Sequence, residues 1–233
     1  MTTNIQQTMI RNGLILALFA IVTTGLIALT YFGTKDQIAR QQQQKLLSIL
    51  NAVIDKNSYD NAIHLDCALF TSNQLLGSDT PQHIYRASKA GKSVAAAIET
   101  TATDGYNGKI HLVVGLTKTP ENTVVISGVR VLEHKETPGL GDKIDLRIND
   151  WVLDFNQQVY HQDNESIWAV KKDGGQFDQF TGATITPRAV VKAVKHSAEY
   201  YLANQAAIFE ADNACSNSAV INASVVQEVE ASE

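Results

Sequence analysis

Residues 93–133 read SVAAAIETTATDGYNGKIHLVVGLTKTPENTVVISGVRVLE, and this stretch decides the fold. Three β-favouring runs, 93–101, 109–117 and 123–133, are rich in Val, Ile and Thr. They are separated by Asp104-Gly105-Tyr106-Asn107-Gly108 and by Pro120-Glu121-Asn122, both turn signals. A fourth run, 84–87, precedes them across Ala90-Gly91-Lys92. Consecutive strands joined by short turns predict an antiparallel sheet, because parallel neighbours need long crossovers. Upstream, residues 57–81 read as irregular, with Asn, Asp, Ser and Pro81. Downstream, a helix is predicted from Pro187 to about Ala206. Its apolar stripe is Val190, Val191, Val194, Ala198, Tyr201 and Leu202. The class is α+β, a twisted antiparallel sheet packed with helices.

Further out, residues 14–32 read LILALFAIVTTGLIALTYF, nineteen residues without a charge. As a helix this run spans roughly 28 Å, close to the hydrocarbon thickness of a bilayer. A cleaved signal peptide is the rival reading. Its apolar core is ordinarily about 7–15 residues and ends at a small-x-small site; here Gly33, Thr34, Lys35 and Asp36 follow. An uncleaved transmembrane anchor over 14–32 is therefore expected, after a short segment over 1–13. Arg11 precedes the run and Lys35, Arg40 and Lys45 follow it, so charge alone does not orient it. A connecting helix is expected over 33–56, with a stripe that includes Ile38, Leu46, Leu47, Leu50 and Val53. The main domain is expected over 57–206 and a mobile acidic tail over 207–233.

Composition bounds the function. The 233 residues are 44% hydrophobic and 18% charged, ordinary for a globular protein and too apolar for a disordered one. Nineteen basic against 24 acidic residues give a net charge of −5, which argues against non-specific nucleic-acid binding. Two cysteines exclude a disulfide-dense scaffold and are too few for a Cys₄ iron–sulfur cluster. No metal-ligand spacing and no Gly-rich dinucleotide signature is present, so no metal site and no catalytic centre are assigned within this chain.

Two short segments carry the chemistry. In His134-Lys135-Glu136-Thr137-Pro138-Gly139-Leu140-Gly141, Pro138 stiffens a turn while Gly139 and Gly141 permit close backbone approach. A plain turn out of a strand uses the same residues. In Asp178-Gln179-Phe180-Thr181-Gly182-Ala183-Thr184-Ile185-Thr186-Pro187-Arg188, Thr186 reads as an N-cap and Pro187 as the first helical residue. The free N–H groups of a helix start favour an anion. Arg188 in the first turn adds a possible charge-assisted contact to phosphate. Simple helix capping reads the same residues equally well.

Taken together, TGATIT, the ETPGLG loop about 45 residues upstream, the DGYNG turn and the single N-terminal anchor resemble the G subunit of the Rnf/Rsx electron-transport complexes. Related FMN-binding domains occur in the C subunit of the sodium-pumping NADH:quinone reductase. The FMN-binding resemblance covers about residues 100–205. It implies FMN attached covalently through its phosphate to the last residue of the (S/T)-G-A-T motif, here Thr184. Thr186 is the second choice, since capping would occupy its oxygen. It further implies cofactor contacts from Glu136, Thr137, Gly139, Leu140, Thr181, Gly182, Ala183 and Arg188. Asp178 fits the upstream acid and suits recognition by a flavin transferase that uses FAD and magnesium. Gln179 departs from the glycine usual at its position.

The implied function is that of a membrane-anchored flavoprotein. It relays electrons within a complex coupled to ion translocation or to reduction of a redox regulator. The implied partners are the other complex subunits, a flavin transferase and membrane lipid, with no nucleic acid. The implied location is the inner membrane, with the main domain on the periplasmic side. There Cys67 and Cys215 would meet an oxidising compartment and could pair; their spacing says nothing about distance. Two alternatives are a non-redox anchored module that binds a protein or anionic ligand, and a flavin reductase acting on a soluble substrate.

Overall fold

The computed structural model describes residues 2–119 and 123–215. The chain divides into two units, one up to Lys45 and one from Leu46 onward. The first is the bulk of helix α1, Thr2–Val53. Nothing between residues 1 and 53 breaks a helix: there is no proline, and Gly33 is tolerated. Among the described residues, the segments expected separately over 1–13, 14–32 and 33–56 are therefore joined in one helix, Thr2–Val53. Its residues 14–32 expose their large apolar side chains, Leu14 by 66% and Phe32 by 67%, and the helix is long and apolar enough to cross a membrane. Thr23 and Thr30 do not leave unsatisfied hydroxyls there. Each donates back to its own helix, to the carbonyls of Phe19 at 2.9 Å and Leu26 at 2.8 Å. The helix fits a single-pass membrane anchor.

The second unit is a six-stranded antiparallel sheet in sequence order: β1 Cys67–Ser72, β2 Ser78–Lys89, β3 Lys92–Gly105, β4 Gly108–Lys118, β5 Val124–Glu133 and β6 Gln158–Tyr160. A one-turn helix, α2 (Asn73–Leu76), joins β1 to β2. The region read as irregular thus contains β1, α2 and the start of β2. The missed strand is short and pairs through Cys67↔Tyr85 and Ala68↔Ile84 with a neighbour that sequence alone does not supply. The Pro120-Glu121-Asn122 turn lies outside the described residues; Thr119 and Thr123 close its ends with a 3.1 Å backbone hydrogen bond.

Each face of the sheet is covered. Helix α3, Ile185–Glu210, lays Val190, Val191, Val194, Ala198 and Tyr201 on Ile98, Ile110, Leu112 and Val114 of one face. Each fully buried valine or tyrosine of that stripe contributes on the order of 1.5–3 kcal/mol. The end of α1 supplies Leu50 and Val53 to the other face, against Tyr85, Ala97 and Val113. It approaches closely because Gly115 and Gly128 face each other across β4 and β5. A Cβ on Gly115 would lie 2.2 Å from the Val53 carbonyl oxygen, which instead accepts the Ser127 hydroxyl at 2.6 Å.

Helix α3 runs four residues past the predicted end, and the chain to Cys215 stays ordered. Ala214 N–H donates to the Cys67 carbonyl at 2.8 Å, and Cys67 and Cys215 form a disulfide with Cα atoms 5.3 Å apart. The expected tail over 207–233 is thereby corrected for 207–215; residues 216–233 lie outside the described residues.

The face shared with α1 carries a titrating pair. His83 Nδ1 lies 2.9 Å from Glu99 Oε2, and this hydrogen bond raises the histidine pKa above its ordinary 6.5, against an opposing effect of burial. A raised folded pKa means stabilisation fully present below about pH 6.5 and lost as pH rises through the folded value. Relative to wild type, His83→Gln should therefore lose about 0.5–1 kcal/mol more at pH 5.5 than at pH 8.5 in urea melts. An equal loss at both pH values would contradict the assignment.

Candidate functional site

Three loops converge beside the N-terminus of α3. They are the β3–β4 turn around Tyr106, the loop that follows β5 through Gly141, and the segment 178–184 that leads into α3. Between them lies a cleft of about 320 Å³. Tyr106 lines it from the turn, Glu136, Thr137, Leu140 and Gly141 from the loop, and Gly182, Ala183, Thr184, Ile185 and Thr186 from the helix entry.

The loop is stiff for local reasons. The Thr137 carbonyl accepts the N–H groups of Leu140, Gly141 and Asp142 at 3.1, 3.1 and 3.4 Å. Gly139 takes φ +77° to make this turn, a conformation that disfavours a side chain. The Glu136 N–H donates to His134 Nδ1 at 3.2 Å, and His134 Nε2 faces Asp145 at 3.7 Å. His134 is thus a fastening at the root of the loop. Arg147 hydrogen bonds hold the Asp145 carboxyl below the usual carboxylate range.

The helix entry rests on aromatic rings. Trp151 packs edge-on against Phe155 and Phe180 at 5.3 and 5.2 Å between centroids, and its indole N–H donates to the Asp178 carbonyl at 2.8 Å. Ala183 N–H closes a turn onto the Phe180 carbonyl at 3.1 Å, with Gly182 at φ +82°. Gln179, in the place where the resemblance favours glycine, accepts the Lys172 N–H at 3.1 Å.

The two threonines have different surroundings. Thr184 is the N-cap residue of α3, half-buried, and its side chain makes no capping hydrogen bond. Thr186 is fully buried, and its hydroxyl donates to Glu136 Oε2 at 2.6 Å. The expectation that Thr186 caps the helix is corrected: the helix starts two residues earlier, at Ile185 with Thr184 as its N-cap, and a carboxylate rather than a backbone N–H engages the Thr186 hydroxyl. Pro187 is accordingly the third helical residue.

Other predicted residues lie apart from the cleft. Arg188 is hydrogen-bonded through its guanidinium to both carboxylate oxygens of Asp173, and this holds the Asp173 carboxyl below the usual range. Thr181 is exposed and Asp178 pairs with Lys171 at 2.8 Å; neither residue, nor Gly139, lines the cleft. Tyr106, Gly141 and Ile185 line the cleft without having been expected there. Only the DGYNG turn pointed toward Tyr106.

The residues suit an FMN. Exposed apolar edges, Tyr106 at 69%, Leu140 at 42% and Ile185 at 45%, flank a hydroxyl without a capping partner at a helix start. The first N–H groups of a helix have no intrahelical acceptor, so an anion is favoured there.

The family described as the RnfG N-terminal region matches residues 1–53, and the FMN-binding domain matches residues 105–199. The chain is 65% identical over 210 residues to the G subunit of the ion-translocating oxidoreductase complex of Pseudoalteromonas atlantica, covering 90% of this chain and 96% of the relative. It is 54% identical over 205 residues to that of Vibrio cholerae (88% and 96% covered) and 51% identical over 201 residues to that of Shewanella baltica (86% and 93% covered). With its N-terminal apolar helix and its FMN-binding domain, the chain belongs to the family of G subunits of ion-translocating oxidoreductase complexes.

Proposed function

We propose that this chain is a membrane-anchored flavoprotein that relays electrons as one component of an Rnf/Rsx-type ion-translocating complex, with FMN esterified to Thr184. The observation that carries the reading is the Thr184 hydroxyl, uncapped at the start of α3 and opening onto the cleft. In maturation Thr184 Oγ gains a bond to phosphorus and loses its proton to the flavin transferase, while the pyrophosphate P–O bond of FAD breaks and AMP leaves. An unactivated threonine is a poor nucleophile, and no activating base is bonded to it here, which is consistent with an external transferase. The phosphodiester keeps about one negative charge, which the N–H groups of the first turn of α3 stabilise.

When bound, the flavin exchanges electrons one or two at a time. The protein supports it by position. Leu140 and Ile185 give the cleft apolar walls, Tyr106 covers its outer edge, and the backbone of Thr137, Gly139 and Leu140 is held rigid beside it. Thr181, Gly182 and Ala183 shape the approach to the acceptor. Asp178, exposed with its Lys171 partner, is available to the transferase. Arg188 is already engaged by Asp173, so its share in phosphate binding is small. Arg188→Gln should leave flavin incorporation within about twofold of wild type; a tenfold fall in co-expression would show that Arg188 leaves Asp173 for the phosphate.

The Cys67–Cys215 disulfide supports a domain on the oxidising side of the membrane, the periplasm of a cell with two membranes, with α1 anchored in the inner membrane. Electron donor and acceptor groups would belong to the other subunits of the complex. The test is co-expression with a flavin transferase, followed by denaturing electrophoresis. A fluorescent band at the mass of this chain is expected. A colourless band beside a labelled control substrate would overturn covalent attachment.

A further inference from the structure

We infer that Glu136 is a positioning residue that commits Thr186 to the protein and so leaves Thr184 as the acceptor; this rests on the reading that FMN is carried by Thr184. The Glu136 carboxylate is only 5% exposed, and both of its oxygens are taken by protein donors. Oε1 accepts the Asn107 N–H at 3.1 Å and Oε2 accepts the Thr186 hydroxyl at 2.6 Å. A buried carboxylate needs such partners, and an O–H donor to it makes a short, strong bond. Two glycines make room for it. A Cβ on Gly105 would lie 2.9 Å from Oε1, and one on Gly141 would lie 2.6 Å from Oε2 and 2.9 Å from the Thr186 hydroxyl.

The three motifs are therefore one device. DGYNG supplies Gly105 and Asn107, ETPGLG supplies Glu136 and Gly141, and TGATIT supplies Thr186. Asn107 adds a second tie through its side-chain amide to the Lys135 carbonyl at 2.5 Å, and Lys192 fastens Asp104 to α3 at 2.6 Å. Residues two apart on a helix point in nearly opposite directions. Drawing Thr186 inward under the loop thus fixes the rotation of the first turn with Thr184 toward the cleft. Glu136, a cofactor contact by resemblance, lines the cleft but spends its carboxylate on the protein.

The test measures the FMN yield on Thr184 in full-length variants co-expressed with the transferase, by mass spectrometry of the tryptic peptide 173–188. Folding is checked by thermal melt. Glu136→Ala and the isosteric Thr186→Val should each lower the yield by at least about tenfold, the scale of a misplaced reacting group. Glu136→Gln, which keeps shape and can still bond the rotatable hydroxyl, and Thr186→Ser should recover most of it. A folded Glu136→Ala or Thr186→Val protein labelled within tenfold of wild type overturns the inference. Should Glu136→Ala fail to fold, Thr186→Val decides alone. An unlabelled wild type would instead remove the underlying reading of Thr184.

Discussion

Thr184→Val is expected to abolish covalent flavin while leaving the domain folded. Valine matches the shape of threonine and lacks only the oxygen that would carry the phosphoester. That oxygen caps nothing, so its removal strands no donor of the helix start. The expected change in stability is within about 0.5 kcal/mol, whereas the expected loss of in-gel fluorescence is complete. Thr184→Ser restores a hydroxyl and should restore label. Thr186→Val separates the two hydroxyls: residual label should remain on Thr184. Undiminished fluorescence in Thr184→Val would move the attachment elsewhere.

The second large effect is on stability. The Cys67–Cys215 disulfide closes a separation of 148 residues and clasps β1 to the chain leaving α3. The same clasp holds Asn213, whose side-chain oxygen accepts the N–H groups of Cys67 at 3.2 Å and Cys215 at 2.9 Å. Arg86 adds a lid to the end of α3. Its guanidinium donates to the carbonyls of Ile208 at 3.3 Å and Ala211 at 2.6 Å while pairing with Asp66. Breaking the disulfide should cost about 2–4 kcal/mol. That lowers the melting temperature by about 4–16 °C for a domain of this size. Circular dichroism melts with and without reductant should show the drop. Cys67→Ser/Cys215→Ser should show it in both conditions. Identical melts of oxidised and reduced wild type would contradict a stabilising clasp.

What was legible in the sequence follows physical range. The central strands could be read because Gly-rich turns and β-branched residues are local signals, and sequential turns dictate neighbouring strands. The anchor could be read because nineteen uncharged residues in one run need no tertiary context. Strand β1 was hidden because its six residues are strand-like only once β2 lies beside them. The three-residue β6 is too short to show a period. At the site, TGATIT and ETPGLG stood out as segments, but their joint purpose did not. Thr186 and Glu136 are 50 residues apart, and a capping threonine and a carboxylate-bonded threonine look alike in sequence. Arg188 read as a phosphate ligand because its position in the first turn was visible, while Asp173, its partner, lay 15 residues away without a pattern to link them.

The most direct measurement is fragmentation mass spectrometry of the tryptic peptide 173–188, DGGQFDQFTGATITPR, from the full chain matured with a flavin transferase. The peptide holds Thr181, Thr184 and Thr186 together, so one spectrum reports both the modification and its position. An FMN phosphoester borne by Thr184, with Thr181 and Thr186 unmodified, is the predicted result. An unmodified peptide, or flavin carried on Thr181 or Thr186, would contradict it.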